Sequence, residues 1–322
     1  MKHLFIINPA AKKTRGHVGS IRRALTAVLE AHPEIQYDIY ETKRCRDSIL
    51  FIRRYIAKSN ETFRIHAIGG GGTLFEVVNS VIGFPNVEVA SYPLGNSNSF
   101  VRYFNPKHMD LFNSYEKQIF GKTHPMDVIR CGNNYGTSFG MAGMEALANV
   151  LGDEWIAKGV PTNAAYLLAG IYQLMNAKVA REYVLSIDGK RIEGWFISIL
   201  VANTPCYGKG MKPAINAHPD DGLLDVYTIK NTNKGKLMRS IPFYISGNYR
   251  KIPDLVTHYR AKKIELSSDT TMCMNVDGEH FYGTSIDYEV IPRAIRFVCP
   301  EGIDLAKLPL LYGKPKEGLR GD

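Results

Sequence analysis

The sequence predicts an α/β N-terminal domain, with a parallel sheet and helices on both faces, followed by a C-terminal antiparallel β-sandwich domain with inserted helices. Three observations predict this. Residues 1–126 alternate short apolar runs with amphipathic helical patterns. From residue 127 strand-like runs follow one another. The length of 322 residues also exceeds the roughly 250 residues at which single cores usually stop growing.

The first domain, 1–126, is predicted to contain four strands, each followed by a helix. The strands are expected at 4–7, 36–40, 64–68 and 87–92, and the helices at 21–29, 47–57, 74–81 and from 100 onward. Right-handed crossovers place the carboxyl ends of parallel strands at one edge of the sheet, where ligands bind.

The second domain is expected at 127–305, and the basic, glycine- and proline-rich stretch at 306–322 is expected to be a loosely ordered tail. Asp188-Gly189 is a hairpin signal, and Asp277-Gly278 is a further turn candidate. The predicted strands are 127–130, 182–187, 191–202, 224–229, 263–267, 272–276, 285–291 and 295–299, and the predicted helices are 144–151, 164–177 and 236–246.

A run of four glycines, residues 69–72, lies between the third predicted strand and the helix after it. Free backbone N–H groups and the positive dipole end favour a phosphate at such a helix start. Thr73 is expected to cap the helix, with Glu76 completing a capping box. The alternative is a flexible turn without a ligand. The run is not a Walker A loop, because no Gly-Lys-Ser/Thr ending follows it.

Two further loops follow predicted strands. Asn8-Pro9-Ala10-Ala11-Lys12 comes after the first strand, and Pro93-Leu94-Gly95-Asn96 comes after the fourth. Neighbouring loops of this kind could form one anion cradle. The alternatives are a plain strand–helix loop for the first and simple capping by Asn98 or Ser99 for the second.

Two acidic turns occur in the second half. Asp220-Asp221-Gly222 suits a hard cation such as Mg²⁺, or an ordinary β-turn. Asp277-Gly278-Glu279 could supply a general base toward a substrate hydroxyl, although a solvated hairpin tip is the more common meaning of Asp-Gly.

The composition limits the function classes. A net charge of +9 favours solubility or attraction to anionic phospholipid, and the scattered basic residues argue against nucleic acid as a partner. Five cysteines without a CxxC pair fit a reducing cytoplasm and argue against a zinc site. Neither a signal-peptide pattern nor a membrane-length apolar run is present. The apolar helix at 163–177 is expected in the interior, or else as the lining for a lipid or a membrane-facing surface.

The order of these motifs resembles the diacylglycerol kinase catalytic family, the soluble bacterial lipid kinases related to sphingosine and ceramide kinases. The resemblance covers roughly residues 3–305 and implies a cytoplasmic, ATP- and Mg²⁺-dependent lipid kinase with peripheral contact to the inner membrane face. An exposed sandwich edge could also form a homodimer.

The resemblance also implies a role for individual residues. Glu279 matches the general base, and Asp127 matches a carboxylate near the metal and its waters. Asp221, with the carbonyls of His218 and Leu223, matches a structural magnesium site. The nucleotide-contacting positions are Asn8, Pro9, Ala10, Ala11, Lys12, Thr42, Gly70, Gly71, Gly72, Thr73, Leu74, Phe75, Glu76 and Asn96.

Four positions depart from the family pattern. Gly71 and Ser99 stand where the family has acidic residues, Phe75 replaces asparagine, and Lys12 replaces glycine. Loss of carboxylates that organise a metal would slow or abolish phosphoryl transfer. A paralogue that binds nucleotide or lipid without turnover is therefore one alternative, and a kinase for a soluble metabolite such as NAD is another.

Overall fold

The computed structural model describes residues 1–104, 106–176, 180–208 and 210–303. The chain divides into two compact units, one formed by 1–127 with 293–303 and the other by 128–292. The sequence interpretation places 293–303 in the second domain. In the structure this segment belongs to the first unit, because Arg296 and Phe297 pair in parallel with Glu88 and Val89. The tail predicted at 306–322 lies outside the described residues.

The first unit is a parallel sheet wrapped by helices. Its strands are β1 (Lys2–Ile7), β2 (Gln36–Glu41), β3 (Phe63–Gly69), β4 (Val87–Pro93) and the start of β5 (Lys122–Cys131). Its helices are α1 (Val18–Glu30), α2 (Asp47–Ile56), α3 (Gly71–Val81), α4 (Ser99–Arg102), α5 (Met109–Asn113) and α6 (Tyr115–Ile119), with a 3₁₀ turn at Pro106–His108.

The parallel strands run in the order β4-β3-β1-β2. Every residue of β3 and β4 is buried, as expected for parallel strands covered on both faces. Leu25 and Leu29 of α1 pack on Phe5, Ile7 and Ile68 of the sheet. The four predicted strands and the helices at 21–29, 47–57 and 74–81 are confirmed to within a few residues at their ends.

The second unit is an antiparallel sheet structure with inserted helices, as predicted. Its strands are the end of β5, β6 (Asn134–Gly136), β7 (Phe139–Gly143), β8 (Arg181–Ile187), β9 (Lys190–Ala202), β10 (Leu224–Lys230), β11 (Val256–Ala261), β12 (Lys263–Val276) and β13 (Glu279–Cys299), which ends in the first unit. Its helices are α7 (Met144–Ala157), α8 (Thr162–Asn176) and α9 (Lys234–Ile245), with a 3₁₀ turn at Tyr249–Lys251.

Two long strands in this unit each have two neighbours on one side. The first part of β9 pairs with β8 and its second part with β7, and β12 pairs with the same two strands. The predicted strands 263–267 and 272–276 are therefore one strand, with a register shift between Ser267 and Met272. Likewise, 285–291 and 295–299 are both parts of β13. The sequence reading missed β6, β7 and β11.

Helix α8 is only partly interior. Ala165, Ala169 and Leu174 are buried, whereas the opposite face is exposed to solvent. The exposed apolar side chains of α8 are Leu167, Leu168, Tyr172 and Met175. The prediction of an interior helix is thus correct for one face and wrong for the other; position 177 of the predicted range lies outside the described residues. Within those residues, no helix has both the length and the apolar character required to cross a membrane.

Candidate nucleotide and phosphotransfer site

Three loops meet at the carboxyl ends of β1, β3 and β4. They are the first loop (residues 8–15), the glycine loop (69–73) and the third loop (94–98). Backbone hydrogen bonds join them, from Asn8 N to Ile68 O (3.0 Å), from Lys13 N to Leu94 O (3.1 Å) and from Leu94 N to Gly69 O (2.7 Å). The expectation that these loops are neighbours is therefore met within the first unit.

The glycine loop opens directly into α3. Gly70 occupies the N-cap position in an extended conformation, the helix begins at Gly71, and no side chain caps it. Leu74 N is the first to donate back, to Gly70 O at 3.1 Å. The N–H groups of Gly71, Gly72 and Thr73 therefore have no acceptor one turn earlier, which is the arrangement that binds anions at helix starts.

The predicted capping box is wrong. The helix starts two residues before Thr73, so Thr73 is already inside its first turn, where its Oγ1 accepts a hydrogen bond from Asn8 Nδ2 (3.0 Å). Glu76 accepts from Arg46 N (2.8 Å) and from the Ser48 hydroxyl. Glu76 therefore stabilises the N-terminus of α2 instead of its own helix.

Two glycines allow the glycine loop and the third loop to touch. A Cβ added to Gly70 would lie 2.9 Å from Gly95 Cα, and one added to Gly95 would lie 2.4 Å from Gly70 Cα. No larger residue fits at Gly95 without moving backbone. By contrast, a Cβ at Gly71 or Gly72 would meet nothing within 4 Å. The outer half of the glycine loop thus faces open space beside the available N–H groups.

Fewer residues of the glycine loop and α3 can contact a nucleotide in the structure than the sequence predicted. Leu74 and Phe75 are buried in the core of the first unit, and the Glu76 carboxylate is engaged by α2. Their side chains therefore do not face the open side of the loop. Gly70, Gly71, Gly72 and the backbone of Thr73 remain as the part that can approach a phosphate.

The first loop is held by its own polar groups. Asn8 Oδ1 accepts from Ala10 N (2.9 Å), and its Nδ2 is used by Thr73. Thr14, fully buried, donates its hydroxyl to the carbonyl of Asn8. Pro9 and Ala11 are half-buried, and Ala10 and Lys12 are exposed. Asn8 therefore fixes the loop, and Lys12, Lys13 and Arg15 are exposed cationic residues on it.

Thr42 and Asn96 lie at the same edge. Thr42 follows β2, and its N–H donates to Ile7 O at the end of β1 (2.9 Å). Asn96 lies in the third loop, and its Oδ1 is buried without a hydrogen-bond partner in the described part of the chain. A buried amide oxygen of this kind is costly unless a donor reaches it, and a bound ligand could supply that donor.

The third loop is shaped by Asn98, in the left-handed conformation with φ 51°. Its side chain accepts from Gly95 N (3.1 Å) and donates to Pro93 O (2.9 Å) and Gly95 O (3.1 Å). Asn98 takes the N-cap position of α4, as one alternative expected, yet its side chain holds the loop and not the helix.

The acidic turn in the second unit carries an ion pair. Asp221 Oδ1 accepts from Leu223 N (3.1 Å), and its Oδ2 contacts the Arg260 guanidinium. Arg260 Nε also lies 3.8 Å from Asp225 Oδ2, and Asp225 pairs with His258 at 2.5 Å. His218, which is close to Asp221 in the sequence, is buried. Within the described residues, no group of three or more His, Cys, Asp or Glu side chains could hold a metal.

This geometry does not fit the magnesium site that the resemblance implies. Asp221 is the single carboxylate of the predicted set, and a guanidinium already balances its charge. A divalent ion bound there would compete with Arg260 for the Asp221 carboxylate. We therefore assign no step of the reaction to a metal at His218, Asp221 and Leu223.

Glu279 begins β13, opposite Val276 at the end of β12, and is half-exposed. The two strands are joined by Asp277 and Gly278, both at positive φ (49° and 91°), which is the two-residue hairpin that the sequence predicted. Asp127 belongs to the first unit, where its buried carboxylate accepts from Arg293 N at 2.7 Å. The structure thus gives Asp127 a structural contact and leaves Glu279 partly open to solvent.

Sequence reasoning did not predict the side-chain contacts that hold these segments, although it named Asn98 as a capping candidate and Asp277 as a turn candidate. Thr14 and Asn98 are the clearest cases, and Asp277 is a third because its carboxylate is used by residues 137–139. Asn98 and Asp277 carried a signal, since Asn and Asp tolerate the left-handed region and bond to nearby backbone. The position of Thr14 had no comparable signal.

Two family models match this chain. The model described as the diacylglycerol kinase catalytic domain matches residues 2–131, and the model described as the YegS C-terminal NAD kinase beta sandwich-like domain matches residues 139–299. The two matches follow one another along the chain and correspond to its α/β and sandwich parts.

Curated relatives and solved structures agree with the models. Two proteins with the printed name "putative lipid kinase", from Staphylococcus aureus strains MRSA252 and N315, are 28% and 29% identical over 87% of this chain and 90% of theirs. A solved structure described as a diacylglycerol kinase, from Bacillus anthracis strain Sterne, covers 94% of this chain and 98% of its own, with a TM-score of 0.66 and 18% identity. A second, described as "a putative diacylglycerol kinase" from the same strain, has a TM-score of 0.71 and 20% identity.

The solved structures establish the fold, and the family models establish the relationship. An α/β unit with a glycine loop at its strand ends, followed by an antiparallel sandwich, defines the class of two-domain lipid-kinase-like proteins. Within that class, this chain belongs to the diacylglycerol kinase catalytic-domain family.

Proposed function

We propose that the chain is an ATP-dependent lipid kinase, which transfers the γ-phosphate of ATP to a lipid hydroxyl such as that of diacylglycerol. The observation that carries this proposal is the contact between Gly70 and Gly95. This contact closes one side of the loop cluster, which consists of the first loop (8–15), the glycine loop (69–73) and the third loop (94–98), while the N–H groups of Gly71, Gly72 and Thr73 stay open at the start of α3. Membership of a lipid kinase family supports the choice of substrate class.

The loop cluster would bind the nucleotide. Backbone N–H groups and the positive end of the α3 dipole attract phosphate oxygens without a charged side chain. Lys12, exposed on the first loop, adds a cation to the same loop edge, and Asn96 offers its unpartnered oxygen to a nucleotide donor group. Mg²⁺ would accompany ATP and neutralise charge on the phosphates as the γ-phosphoryl group transfers.

Glu279 would act as the general base. The lipid hydroxyl gives its proton to the Glu279 carboxylate while its oxygen forms a bond to the γ-phosphorus, and the bond from that phosphorus to the β-phosphate oxygen breaks to release ADP. A positioned base of this kind contributes about 10²- to 10⁴-fold in rate.

The substrate would be taken from a membrane surface on the cytoplasmic side. Helix α8 carries no charged residue, and Leu168, Tyr172 and Met175 lie exposed along it at spacings of four and three residues. Lys234 lies at the carboxyl end of this helix, where its Nζ donates to Met175 O at 2.6 Å. Apolar side chains beside a lysine suit an anionic bilayer surface.

A panel assay tests the proposed function. Purified protein is given Mg²⁺-ATP with diacylglycerol, ceramide or a sphingoid base in mixed micelles, and with NAD in a parallel reaction. The proposal expects a phosphorylated lipid and no phosphorylated NAD. The NAD reaction is included because the model matched by 139–299 is named for a sandwich like that of NAD kinases. Phosphorylation of NAD alone would replace the lipid with a soluble substrate.

A second candidate is a protein that binds nucleotide or lipid without turnover. It is favoured by Gly71 and Ser99, which leave the loop cluster without two carboxylates that the family pattern contains. Calorimetry with ATP, combined with the panel assay, separates the two candidates. Saturable binding together with no transfer to any lipid of the panel supports the binding protein, and steady transfer by the unmodified chain excludes it.

A further inference from the structure

The Asp277 carboxylate, at the tip of the β12–β13 hairpin, accepts four hydrogen bonds. Its Oδ1 accepts from Ser138 N and Phe139 N, each at 3.0 Å. Its Oδ2 accepts from Thr137 N (2.5 Å) and from the Thr137 hydroxyl (2.9 Å). Three consecutive backbone N–H groups and one hydroxyl are therefore satisfied by a single side chain.

The segment that donates these bonds is itself fixed. Asn203, fully buried at the end of β9, donates from Nδ2 to Thr137 O and from its backbone N–H to Ser138 O, both at 2.8 Å. Asp277 N donates in turn to Phe139 O at 2.9 Å. The tip of the β12–β13 hairpin is thus attached from two sides to a segment anchored on another strand.

We propose that Asp277 is the positioning residue for Glu279, which follows it by two residues. This inference rests on the proposed role of Glu279 as general base. The turn contains a glycine, whose backbone is conformationally permissive, and the four contacts of the Asp277 side chain restrict the movement of the hairpin tip. Holding Asp277 at four points fixes the first residue of β13, where the base is carried. The reaction rate falls when the residues that position a catalytic group allow it even small displacements.

Gly136 supports the same conclusion by steric fit. A Cβ at this position would lie 2.3 Å from Val276 Cγ2 and 3.2 Å from Asp277 Cγ. The residue before Thr137 must therefore be small for the hairpin to approach. An alanine there would displace the same turn without altering any of its hydrogen-bonding groups.

A purely structural role is the competing explanation, and the chain contains a matched control for it. Asp188-Gly189, between β8 and β9, has the same conformation (φ 47° and 86°). The Asp188 carboxylate also accepts from backbone N–H groups, those of Lys262 (3.0 Å) and Lys263 (2.8 Å). It lies on a different hairpin, with no proposed catalytic residue beside it.

The test compares Asp277→Asn, Gly136→Ala and Asp188→Asn by steady-state kinetics and by melting temperature. An asparagine keeps the shape but presents N–H₂ to the Thr137 donors, so we expect Asp277→Asn to lower kcat by about 10- to 100-fold, part of what a general base contributes. KM for ATP should stay within about twofold, since the loss acts on the chemical step. Asp188→Asn should lower the melting temperature comparably and leave kcat within about twofold.

A double variant shows whether Asp277 acts through Glu279. Residues that work as one unit are not additive, so Asp277→Asn should cost little once Glu279→Gln is present. Gly136→Ala should behave like Asp277→Asn. Equal kcat losses in Asp277→Asn and Asp188→Asn, or full additivity with Glu279→Gln, overturn the positioning role while the proposed function stands. A wild type inactive on every lipid refutes the proposed function and this inference together.

Discussion

At the scale of single residues, small side chains decide what the loop cluster can do. Gly95 is required by packing, because its Cα approaches Gly70, whereas Gly71 faces open space with an ordinary backbone conformation. Glycine therefore has different roles at these two positions: Gly95 is needed for loop packing, whereas Gly71 is not. Sequence reasoning predicted that the glycine run is a phosphate loop, but spacing alone does not separate a glycine needed for contact from one at a position where the family pattern is acidic.

Gly71→Asp should fold and should gain activity. The new side chain has room, and a carboxylate at the start of α3 interacts favourably with the helix dipole by about 0.3–1 kcal/mol. We expect a melting temperature equal to or slightly above that of the wild type, and faster transfer from Mg²⁺-ATP, further increased by Ser99→Asp. Differential scanning fluorimetry and the panel assay measure both effects.

Gly95→Ala is the contrasting substitution. Its Cβ would press on the Gly70 backbone, and overpacking of this kind typically costs about 1–3 kcal/mol. We expect a lower melting temperature and weaker ATP binding by calorimetry. If Gly95→Ala bound ATP as well as Gly71→Ala, the contact between the two loops would not be needed for the nucleotide site.

At the scale of elements, the strand pair β1–β3 contains a buried histidine pair. His3 Nδ1 lies 2.9 Å from His66 Nε2. Burial, with the charge of Arg64 beside it, lowers the pKa of His3 to about 4, and burial lowers the pKa of His66 well below its ordinary value. Both side chains are therefore neutral in the folded protein at pH 7.

These depressed pKa values predict acid sensitivity. Between pH 6.5 and 4 the unfolded chain binds protons that the folded chain does not, so the unfolding free energy falls as the pH falls through this window. For His3 the loss is on the order of 3 kcal/mol, at about 1.4 kcal/mol per unit. Urea unfolding of wild type and His3→Gln at pH 7 and pH 4.5 measures it. The variant should lose less stability than the wild type, and parallel losses would contradict the assignment.

Helix α8 carries the prediction about membranes. The substitutions Leu168→Ser and Tyr172→Ser, made together, remove two side chains that are 47% and 50% exposed, so the fold should be retained. If these side chains enter the bilayer surface, binding to anionic vesicles should fall by about tenfold or more, because burial of a large apolar side chain is worth about 1.5–3 kcal/mol. Vesicle co-sedimentation measures the change.

Leu50→Ser on α2 is the control, because Leu50 is 62% exposed and also lies on a helix. It should leave vesicle binding unchanged. Equal binding by wild type, the α8 variant and the control would exclude α8 as the membrane contact.

At the scale of the whole chain, periodicity predicted the parallel unit well, because apolar runs separated by amphipathic helical patterns mark strands such as β3 and β4, which are buried on both faces, although β2 is largely exposed. The strands of the second unit were harder to predict. Phe139–Gly143 and Val256–Ala261 form strands through pairings distant in sequence, and their own patterns gave no clear alternation. The start of α3 was also predicted too late in the chain. Gly70 is the N-cap and Gly71 the first helical residue, and no capping side chain marks either position in the sequence.

The candidate site was predictable only in part for a related reason. Motif order located the loops and the Glu279 hairpin, but not the contacts that fix them. The ion pair between Asp221 and Arg260 joins residues 39 positions apart, and the bonds from residues 137–139 to Asp277 span up to 140 positions. Long-range pairing of this kind leaves no local pattern in the sequence.

The most direct measurement for the central claim is transfer of ³²P from labelled ATP to diacylglycerol in mixed micelles, by wild type and Glu279→Gln side by side. The wild type should form a labelled, solvent-extractable lipid. Glu279→Gln should be slower by about 100-fold or more, with ATP binding unchanged, since it removes the base and leaves the loop cluster intact. Equal rates for the two proteins, or no labelled lipid from the wild type across the lipid panel, would contradict the claim.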